Sequence, residues 1–339
     1  HFKPNYPQLQ IVPLNFKVDD SQGSTATWKS FGDWSYTLNS VKGNLPAATI
    51  EKMKQLTANL KTDREKVKAV YEYMQKKTRY VSIQIGIGGW QPFGADVVDK
   101  NAYGDCKALS NYTYNLLNAI GIKSHYVLVT AGENAREINP DFVSSQFNHA
   151  IVCVPLNGDT IWLENTSQIN PFGHTGTFTD DRLVLLIDSG NSKLVRTRIY
   201  PASENCINRQ AKVELFNDRN AHATVKTNYI GLAYNDMQQI LHADDNEKKK
   251  RITENISIPS FILNNFTLTE KSDFTPEICE KLDIDITNCV KSLQGNIELL
   301  PLNLMNKLTD LPEKVRNRKT DMCIRRAYME NDTIDYILP

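Results

Sequence analysis

Apolar residues recur every three or four positions in three stretches of the first half of the chain, which is the spacing of amphipathic helices. The first stretch covers residues 47–60, and the third covers residues 106–120, where Gly121 marks a natural helix end. The second begins at Thr62, because Thr62 and Glu65 form a capping box in which each side chain can bond an amide of the first turn. Its buried stripe is expected to comprise Val67, Val70, Tyr71 and Met74.

Strands are predicted where β-branched and apolar residues cluster between turn residues. One such cluster, residues 80–87, leads into a glycine-rich turn. After the third helix, further strands are predicted at residues 123–130, 148–155, 160–165, 183–187 and 194–199. The dipeptide Asn157-Gly158 separates the second and third of these strands, and it is the strongest short signal for a two-residue hairpin turn.

The pattern changes at residue 201, after which alternating apolar and polar runs dominate and a single polar helical stretch lies around residues 234–256. Many strands with few helices predict a β-rich, sandwich-like domain over residues 201–339. Residues 45–200 then form a mixed helix-and-strand domain. Residues 1–44 are irregular, with a possible edge strand at 11–16, and are interpreted as a linker or the tail of a preceding domain.

Composition narrows the function classes. The 339 residues include 39 Lys and Arg against 39 Asp and Glu, so the formal net charge is zero. This balance argues against a nucleic-acid partner or an anionic membrane surface. No apolar run approaches the roughly 20 residues of a membrane-spanning helix. Six cysteines without a CxxC pair are too sparse for a disulfide scaffold or structural zinc, so neither a metal nor an organic cofactor is expected.

One cysteine has a position that suits a nucleophile. Cys106 lies where the turn Gly104-Asp105 meets the start of the third predicted helix. The unpaired amides and the dipole of a helix N-terminus favour a thiolate over a thiol, and the same amides can stabilise an oxyanion. The alternative is that Cys106 is a small buried apolar residue, which is the commoner state of a cysteine.

The predicted hairpin supplies partners for this cysteine. When pairing continues outward from the Asn157-Gly158 turn, Ile151 lies opposite Glu164, and His149 falls on the same face of the sheet, diagonal to Glu164. A thiolate, an imidazole and a carboxylate that orients the imidazole form the arrangement of an activated nucleophile. The sequence therefore predicts Cys106, His149 and Glu164 as a catalytic group.

Three alternatives remain open at this stage. A bulge in either strand would shift the register by one residue and give the orienting role to Asn165, whose amide also suits a Cys-His pair. His174, flanked by Gly173 and preceding Thr175-Gly176, is a rival base, although a loop histidine is usually only exposed. Finally, His149 and Glu164 could be an ordinary core histidine and a cross-strand ion pair.

The segments that carry this chemistry resemble a known family. Tyr103-Gly104-Asp105-Cys106-Lys107, Asn148-His149-Ala150 and Trp162-Leu163-Glu164-Asn165-Thr166-Ser167 are similar to motifs of the transglutaminase-like superfamily of papain-type cysteine enzymes, in its bacterial branch. Residues 79–92 resemble the segment that precedes the cysteine helix there. The resemblance covers residues 45–200 and implies an α+β fold, a transglutaminase-like (papain-like) core whose nucleophile helix packs on an antiparallel sheet.

The same resemblance assigns roles. It implies that Cys106 is the nucleophile, His149 the base and Glu164 the orienting acid, although most of the superfamily has aspartate at the third position. An upstream aromatic residue or glutamine often completes the oxyanion hole in these folds. The candidates for that role are Gln84, Trp90 and Gln91.

The function that follows is thiol-dependent acyl transfer at a peptide or carboxamide bond of a protein or peptide substrate. We expect a cysteine protease or amidase rather than a cross-linking transglutaminase, because nothing in the sequence indicates that water is excluded from the site. The alternative is a non-catalytic binding or structural module of the cell envelope on the same scaffold. The resemblance also implies an exported bacterial protein of the periplasm or cell envelope.

Overall fold

The computed structural model of the protein describes residues 9–271, 275–293, 297–301, 303–305, 317 and 325–339. Two compact units divide the chain, His1–Ile199 and Tyr200–Pro339, and this division lies one residue before the boundary expected at 200/201. None of the helices in these described ranges is long and apolar enough to cross a membrane.

The helices of the first unit follow the periodic stretches of the sequence. They are α1 (Trp28–Ser40), α2 (Ala47–Thr57), α3 (Asp63–Lys77), α4 (Ala95–Asn101), α5 (Cys106–Ala119) and the short α6 (Gly176–Thr179). The capping box at the start of α3 is confirmed, since the Thr62 hydroxyl accepts from the Glu65 amide and the Glu65 carboxylate accepts from the Thr62 amide. The predicted stripe of α3 is buried throughout.

The strands of the first unit are β1 (Asn15–Val18), β2 (Ser21–Ser24), β3 (Arg79–Tyr80), β4 (Tyr103–Gly104), β5 (His125–Val129), β6 (His149–Leu156), β7 (Asp159–Leu163), β8 (Leu183–Ile187) and β9 (Lys193–Arg196). Strands β5 to β9 form one antiparallel sheet in the order β7-β6-β5-β8-β9. The hairpin of β6 and β7 has the predicted register, with Leu156 opposite Asp159 and Cys153 opposite Trp162. Gly158 has a φ of +83°, as the tight turn requires.

The main core of this unit lies between the helices and one face of the sheet. Leu109, Leu116 and Leu117 of α5 are buried against Val152 and Val154 of β6, together with residues of α3. The alternate residues of β6 point to the opposite face of the sheet, as the pleat requires. A helix that begins at Cys106 therefore packs on an antiparallel sheet, which confirms the predicted α+β class.

The predicted strand over residues 80–87 was wrong. These residues do not form a strand, because β3 ends at Tyr80 and a 3₁₀ turn covers Gly86–Gly89. Ile85 is 88% exposed and Gly86 has a φ of +57°, so this segment neither buries a face nor keeps an extended backbone.

The interpretation of residues 1–44 as a tail or linker differs from the structure over residues 15–40; residues 1–8 lie outside the described ranges. The hairpin of β1 and β2 and helix α1 belong to the first unit. Phe31, Trp34 and Leu38 of α1 are buried in a cluster that also contains Leu185 of β8, and Phe16 packs edge-on against Trp34 at 4.8 Å between ring centroids. Apolar burial ties this segment to the sheet.

The second unit is β-rich, as predicted. Its elements are β10 (Cys206–Leu215), β11 (Ala221–Ile230), α7 (Ala233–Leu241), α8 (Asp245–Asn255), β12 (Phe261–Lys271), β13 (Glu277–Ile286), β14 (Lys291–Leu293), β15 (Ile297–Leu299) and β16 (Met329–Ile337). The five-stranded sheet has the order β12-β13-β11-β10-β16, and it is antiparallel apart from the β10–β16 pair. Tyr234, Met237 and Ile240 of α7 and Ile252 of α8 share the core of this sheet, so helices form much of the second layer over the described residues.

Candidate active site

Cys106 is the first residue of α5, and its side chain is 3% exposed. Asp105 caps the helix, because its carboxylate accepts from the Ala108 amide at 2.9 Å. The ammonium group of Lys107 forms an ion pair with the same carboxylate, and both side chains are buried. The cap fixes the start of the helix at Cys106, whose own amide has no acceptor within the helix.

His149 and Glu164 meet because of the hairpin register. His149 is the first residue of β6, and Glu164 directly follows the end of β7. The two oxygens of the Glu164 carboxylate lie 3.0 and 2.9 Å from Nε2 of His149. With Nε2 engaged by Glu164, Nδ1 is the ring nitrogen that remains for Cys106, whose interaction with the ring helps to raise the pKa of His149.

A second group of contacts holds the Glu164 carboxylate. The hydroxyl and the amide of Thr166 donate to Oε1 of Glu164 at 2.6 and 3.1 Å. The hydroxyl of Tyr71, on α3, donates to the backbone carbonyl of Glu164 at 2.7 Å. Neither Thr166 nor Tyr71 was predicted as a site residue. The signal for Thr166 is present in the sequence as a threonine two residues after a carboxylate, the spacing of a local side chain-to-backbone turn.

His149 and Glu164 each shift the pKa of the other. Burial alone would lower the pKa of His149, but the Glu164 carboxylate and the bond to Cys106 outweigh it and raise that pKa to about 10. Burial would raise the pKa of Glu164, but the charge and hydrogen bond of His149, together with Thr166, hold it below its ordinary value. The arrangement therefore favours an imidazolium between the cysteine and a carboxylate at neutral pH.

The group opens into a cleft of about 310 Å³ that is lined by Cys106 and His149. Gln84 and Trp90, two of the predicted oxyanion candidates, line the same cleft. Gln91, the third candidate, does not line it, and its side-chain amide donates to the carbonyl of Leu38 at 3.3 Å. Gln91 is thus engaged in fixing the loop against α1.

Helix α1 supplies a wall of the cleft that the sequence analysis missed. Trp34, Ser35 and Leu38 line the cleft, and the ring of Trp34 lies 5.3 Å from that of Trp90. The sequence indicates the helix itself but not its place at the cleft, since Trp28, Phe31, Trp34 and Leu38 recur every three or four positions after the capping residue Thr27.

The alternative residues lie elsewhere. Asn165 points away from His149, because its side-chain amide donates to the Ser110 hydroxyl at 3.1 Å and to the Leu163 carbonyl at 3.0 Å. No register shift occurs within the paired residues of β6 and β7, so the bulge that would have turned Asn165 toward His149 is absent there. His174 is 1% exposed rather than an exposed loop residue, and it does not line the cleft.

Another cysteine of the sheet serves as a contrast. Cys153 lies on β6 in the apolar cluster of the opposite face, and burial raises the pKa of its thiol to about 12. Over the part of the chain that the structure describes, no three His, Cys, Asp or Glu side chains are grouped as metal ligands.

Comparison with known proteins gives two findings. Residues 50–165 match the family described as the transglutaminase-like superfamily, a range that runs from α2 to just beyond β7. The chain is also similar to a solved structure from Parabacteroides distasonis described as a "putative protease", with 14% sequence identity, a TM-score of 0.41 and coverage of 76% of this chain. The chain covers 54% of that structure's length. No curated protein matches the sequence.

Proposed function

Residues 50–165 are a domain of the transglutaminase-like superfamily, and from this domain we propose that the protein catalyses thiol-dependent acyl transfer at a peptide or carboxamide bond. The observation that carries the proposal is the chain of contacts from Cys106 through His149 to Glu164 at the base of a cleft. A cysteine, an imidazole and an orienting carboxylate in this order are the parts that acyl transfer by a thiol requires.

In the proposed reaction, the thiolate of Cys106 attacks the substrate carbonyl and forms a C–S bond. The C–N bond then breaks, and the leaving nitrogen takes a proton from the imidazolium of His149. Water attacks the carbonyl carbon of the resulting thioester and gives a proton to His149. The C–S bond then breaks, which releases the carboxylic acid and restores the thiolate of Cys106 beside the imidazolium of His149. Protons balance over the cycle, and the reaction needs no further reactant.

Glu164 and Thr166 act through His149 in this scheme. Glu164 accepts from Nε2, so it keeps Nδ1 directed at the sulfur and stabilises the charged ring. Thr166 donates to Glu164 and limits the rotation of a carboxylate that is one methylene longer than aspartate. We therefore assign positioning roles to Glu164 and Thr166.

The oxyanion of the tetrahedral intermediate needs donors beside the sulfur. The backbone amide of Cys106 is the first of α5, where the amides have no acceptor within the helix. The side-chain amide of Gln84 lines the same cleft and is the second proposed donor, ahead of the indole of Trp90. Gln91 is not proposed, since its amide is bonded to Leu38.

We propose hydrolysis rather than cross-linking as the main outcome. Gln84 and Trp90 are exposed at the rim of the cleft, and Ile85 between them is exposed as well. Water therefore reaches the position of a thioester on Cys106, and it is far more concentrated than any amine. A protein or peptide is the expected substrate.

The experiment compares the full chain with Cys106→Ser on a peptide library and on casein, with and without a fluorescent primary amine. We expect the unmodified protein to release new peptide ends or ammonia, with little amine incorporated, and Cys106→Ser to release none. Cys153→Ser is the matched control and should retain activity, because that thiol is buried among apolar residues and does not line the cleft. Equal product from the chain and Cys106→Ser would refute the proposal and favour a non-catalytic module.

We also propose an exported, cell-envelope location in a bacterium, which is supported by the family resemblance. Fractionation of cells that produce the protein, followed by immunodetection, tests this location. Recovery with the cytoplasmic marker alone would contradict it.

A further inference from the structure

A second cavity of about 330 Å³ lies between α1, α5 and the start of β5. It shares no lining residue with the cleft at Cys106. Tyr36 and Asn39 of α1 form one wall, Asn115 and Asn118 of α5 form another, and Ser124 lies at the entry to β5. Its volume falls within the range of small-molecule sites, roughly 300–1,000 Å³.

The wall from α5 is a row of side-chain amides. Asn111, Asn115 and Asn118 are spaced by four and three residues, so they lie on one face of the helix. Asn111 is fixed by a bond to the Lys42 carbonyl at 2.9 Å, and Asn115 in turn donates to the Asn111 carbonyl at 2.8 Å. These bonds hold the row in place before any ligand binds.

Three buried polar atoms of the lining residues have no hydrogen-bond partner within the described ranges. They are Nδ2 of Asn39, Oγ of Ser124 and the hydroxyl of Tyr126, and only two further atoms of this kind occur elsewhere in those ranges. All three side chains are at least nine-tenths buried. The Tyr126 hydroxyl also interacts with Cys106 and Asp105 of the other site, so Asn39 and Ser124 are the two groups that belong to this cavity alone. A buried polar group without a partner costs free energy, and this pair indicates a ligand that supplies partners.

Charge at the cavity is balanced. Burial lowers the pKa of His125, an effect that the Asp188 carboxylate opposes and Lys123 reinforces. The carboxylate of Asp188 lies 4.0 Å from Nδ1 of His125 and offsets the positive charge of Lys123. The cavity therefore suits an uncharged ligand with many hydrogen-bonding groups.

We propose that this cavity binds a neutral sugar residue. Sugar hydroxyls donate and accept at once, so they can satisfy the amide donors, the hydroxyl of Ser124 and the carboxylate of Asp188 together. Tyr36 and Tyr114 add aromatic faces against which the C–H groups of a sugar ring can pack. The inference does not depend on the reaction at Cys106, since the two cavities have separate linings.

The test uses Cys106→Ser protein, so that binding is measured without turnover. Saturation-transfer NMR and a thermal-shift assay are run with glucose, galactose, mannose and N-acetylglucosamine, and with a neutral tripeptide of similar size. We expect saturation transfer and a raised thermal midpoint with at least one sugar, and neither with the tripeptide. Signals from no sugar, or from the tripeptide alone, would overturn the proposal.

Two variants locate the site. In Ser124→Ala and Asn39→Leu, each made in the Cys106→Ser background, we expect sugar affinity to fall about fivefold to tenfold, as for one lost hydrogen bond. The sugar-free thermal midpoint should stay equal or rise, because each change removes a buried group that lacks a partner. Tyr229→Phe removes a hydroxyl bonded to Glu280 in the second unit and should leave sugar affinity unchanged. Unchanged affinity in both cavity variants would refute the site.

Discussion

Each unit of the chain contains a histidine bonded to a carboxylate. In the first unit, Nε2 of His149 lies 2.9 Å from Oε2 of Glu164, and in the second, Nδ1 of His222 lies 2.8 Å from Oδ1 of Asp285. The contacts are nearly equal in length, but the first pair of side chains is 8% and 6% exposed and the second pair is 34% and 53% exposed. Each histidine lies on a strand that pairs with an antiparallel neighbour, His149 with β5 and His222 with β13.

The two pairs differ in burial and in neighbouring groups rather than in the length of the contact. His222 lies on the exposed part of a sheet, where Asp283 and Asp285 share it and solvent screens the charges. The hydrogen bond from His222 is enough to lower the pKa of Asp285. His149 is enclosed with Cys106 on one side and Glu164 on the other, so its charge is coupled to the proposed nucleophile.

The largest effect expected from this difference concerns activity. His149→Ala should lower kcat/KM by about 10³-fold, because it removes the group that transfers protons. His222→Ala removes a histidine–carboxylate pair of the same length and should change kcat/KM by less than about twofold. Peptide hydrolysis by the purified variants measures both values, and an equal loss in the two would remove the functional distinction between the pairs.

The two histidine–carboxylate pairs should also differ in how much they contribute to the free energy of unfolding. Glu164→Ala leaves an unpaired charge-bearing histidine in a buried place and is expected to cost about 3–5 kcal/mol of unfolding free energy. Asp285→Ala should leave that free energy almost unchanged, since its carboxylate is exposed. All four tryptophans lie in the first unit, so their fluorescence during urea unfolding reports on Glu164→Ala. Far-UV circular dichroism follows the second unit, and similar losses in both variants would contradict the account.

The pH dependence of activity gives a smaller effect with a definite sign. Because the Glu164 carboxylate helps raise the pKa of His149 to about 10, the acid form of His149 persists in the wild-type protein up to that pH. Glu164→Gln keeps the shape but removes the charge, so the alkaline limb of the kcat/KM profile should move to lower pH. We also expect kcat/KM at pH 7 to fall by about 10²-fold. An alkaline limb at the same pH in both proteins would show that Glu164 does not set this pKa.

The smallest expected effect concerns the support of the carboxylate. Thr166→Val removes the hydroxyl that donates to Oε1 of Glu164 and should lower kcat about fivefold to tenfold with little change in KM. Asn264→Ala is the matched change in the second unit, because Asn264 donates to Asp285 at 2.9 Å, and it should leave kcat unchanged. Recovery of kcat in Thr166→Ser would identify the hydroxyl as the cause, and a wild-type kcat in Thr166→Val would exclude the positioning role.

Sequence patterns predicted the part of the site that depends on local rules. The helical spacing of apolar residues and the glycine that follows them predicted α5. The two-residue turn at Asn157-Gly158 determined which residues of β6 and β7 lie opposite each other. Together these rules brought His149 and Glu164 to one face before the structure was known. Their contact at 2.9 Å agrees with that geometry.

The remaining parts depend on contacts between distant segments. Nothing near Trp34 in the sequence indicates that α1 would form a wall of the cleft beside Cys106, since the two lie 72 positions apart and meet only in the folded unit. Gln84, Trp90 and Gln91 could not be distinguished either, because their segment forms a 3₁₀ turn instead of the predicted strand and directs only two of them to the cleft. Only the tertiary structure distinguishes the candidates that line the cleft from the one that does not.

The rate at which iodoacetamide alkylates Cys106 tests whether His149 activates this cysteine. Rates are measured by peptide mapping between about pH 5 and pH 10 in the wild-type protein and in His149→Ala, with buried Cys153 as an internal control for folding. If His149 activates Cys106, we expect Cys106 of the wild-type protein to react at least about tenfold faster than that of His149→Ala at pH 6, while Cys153 stays unreactive in both. Equal Cys106 rates in the two proteins across this range would contradict it.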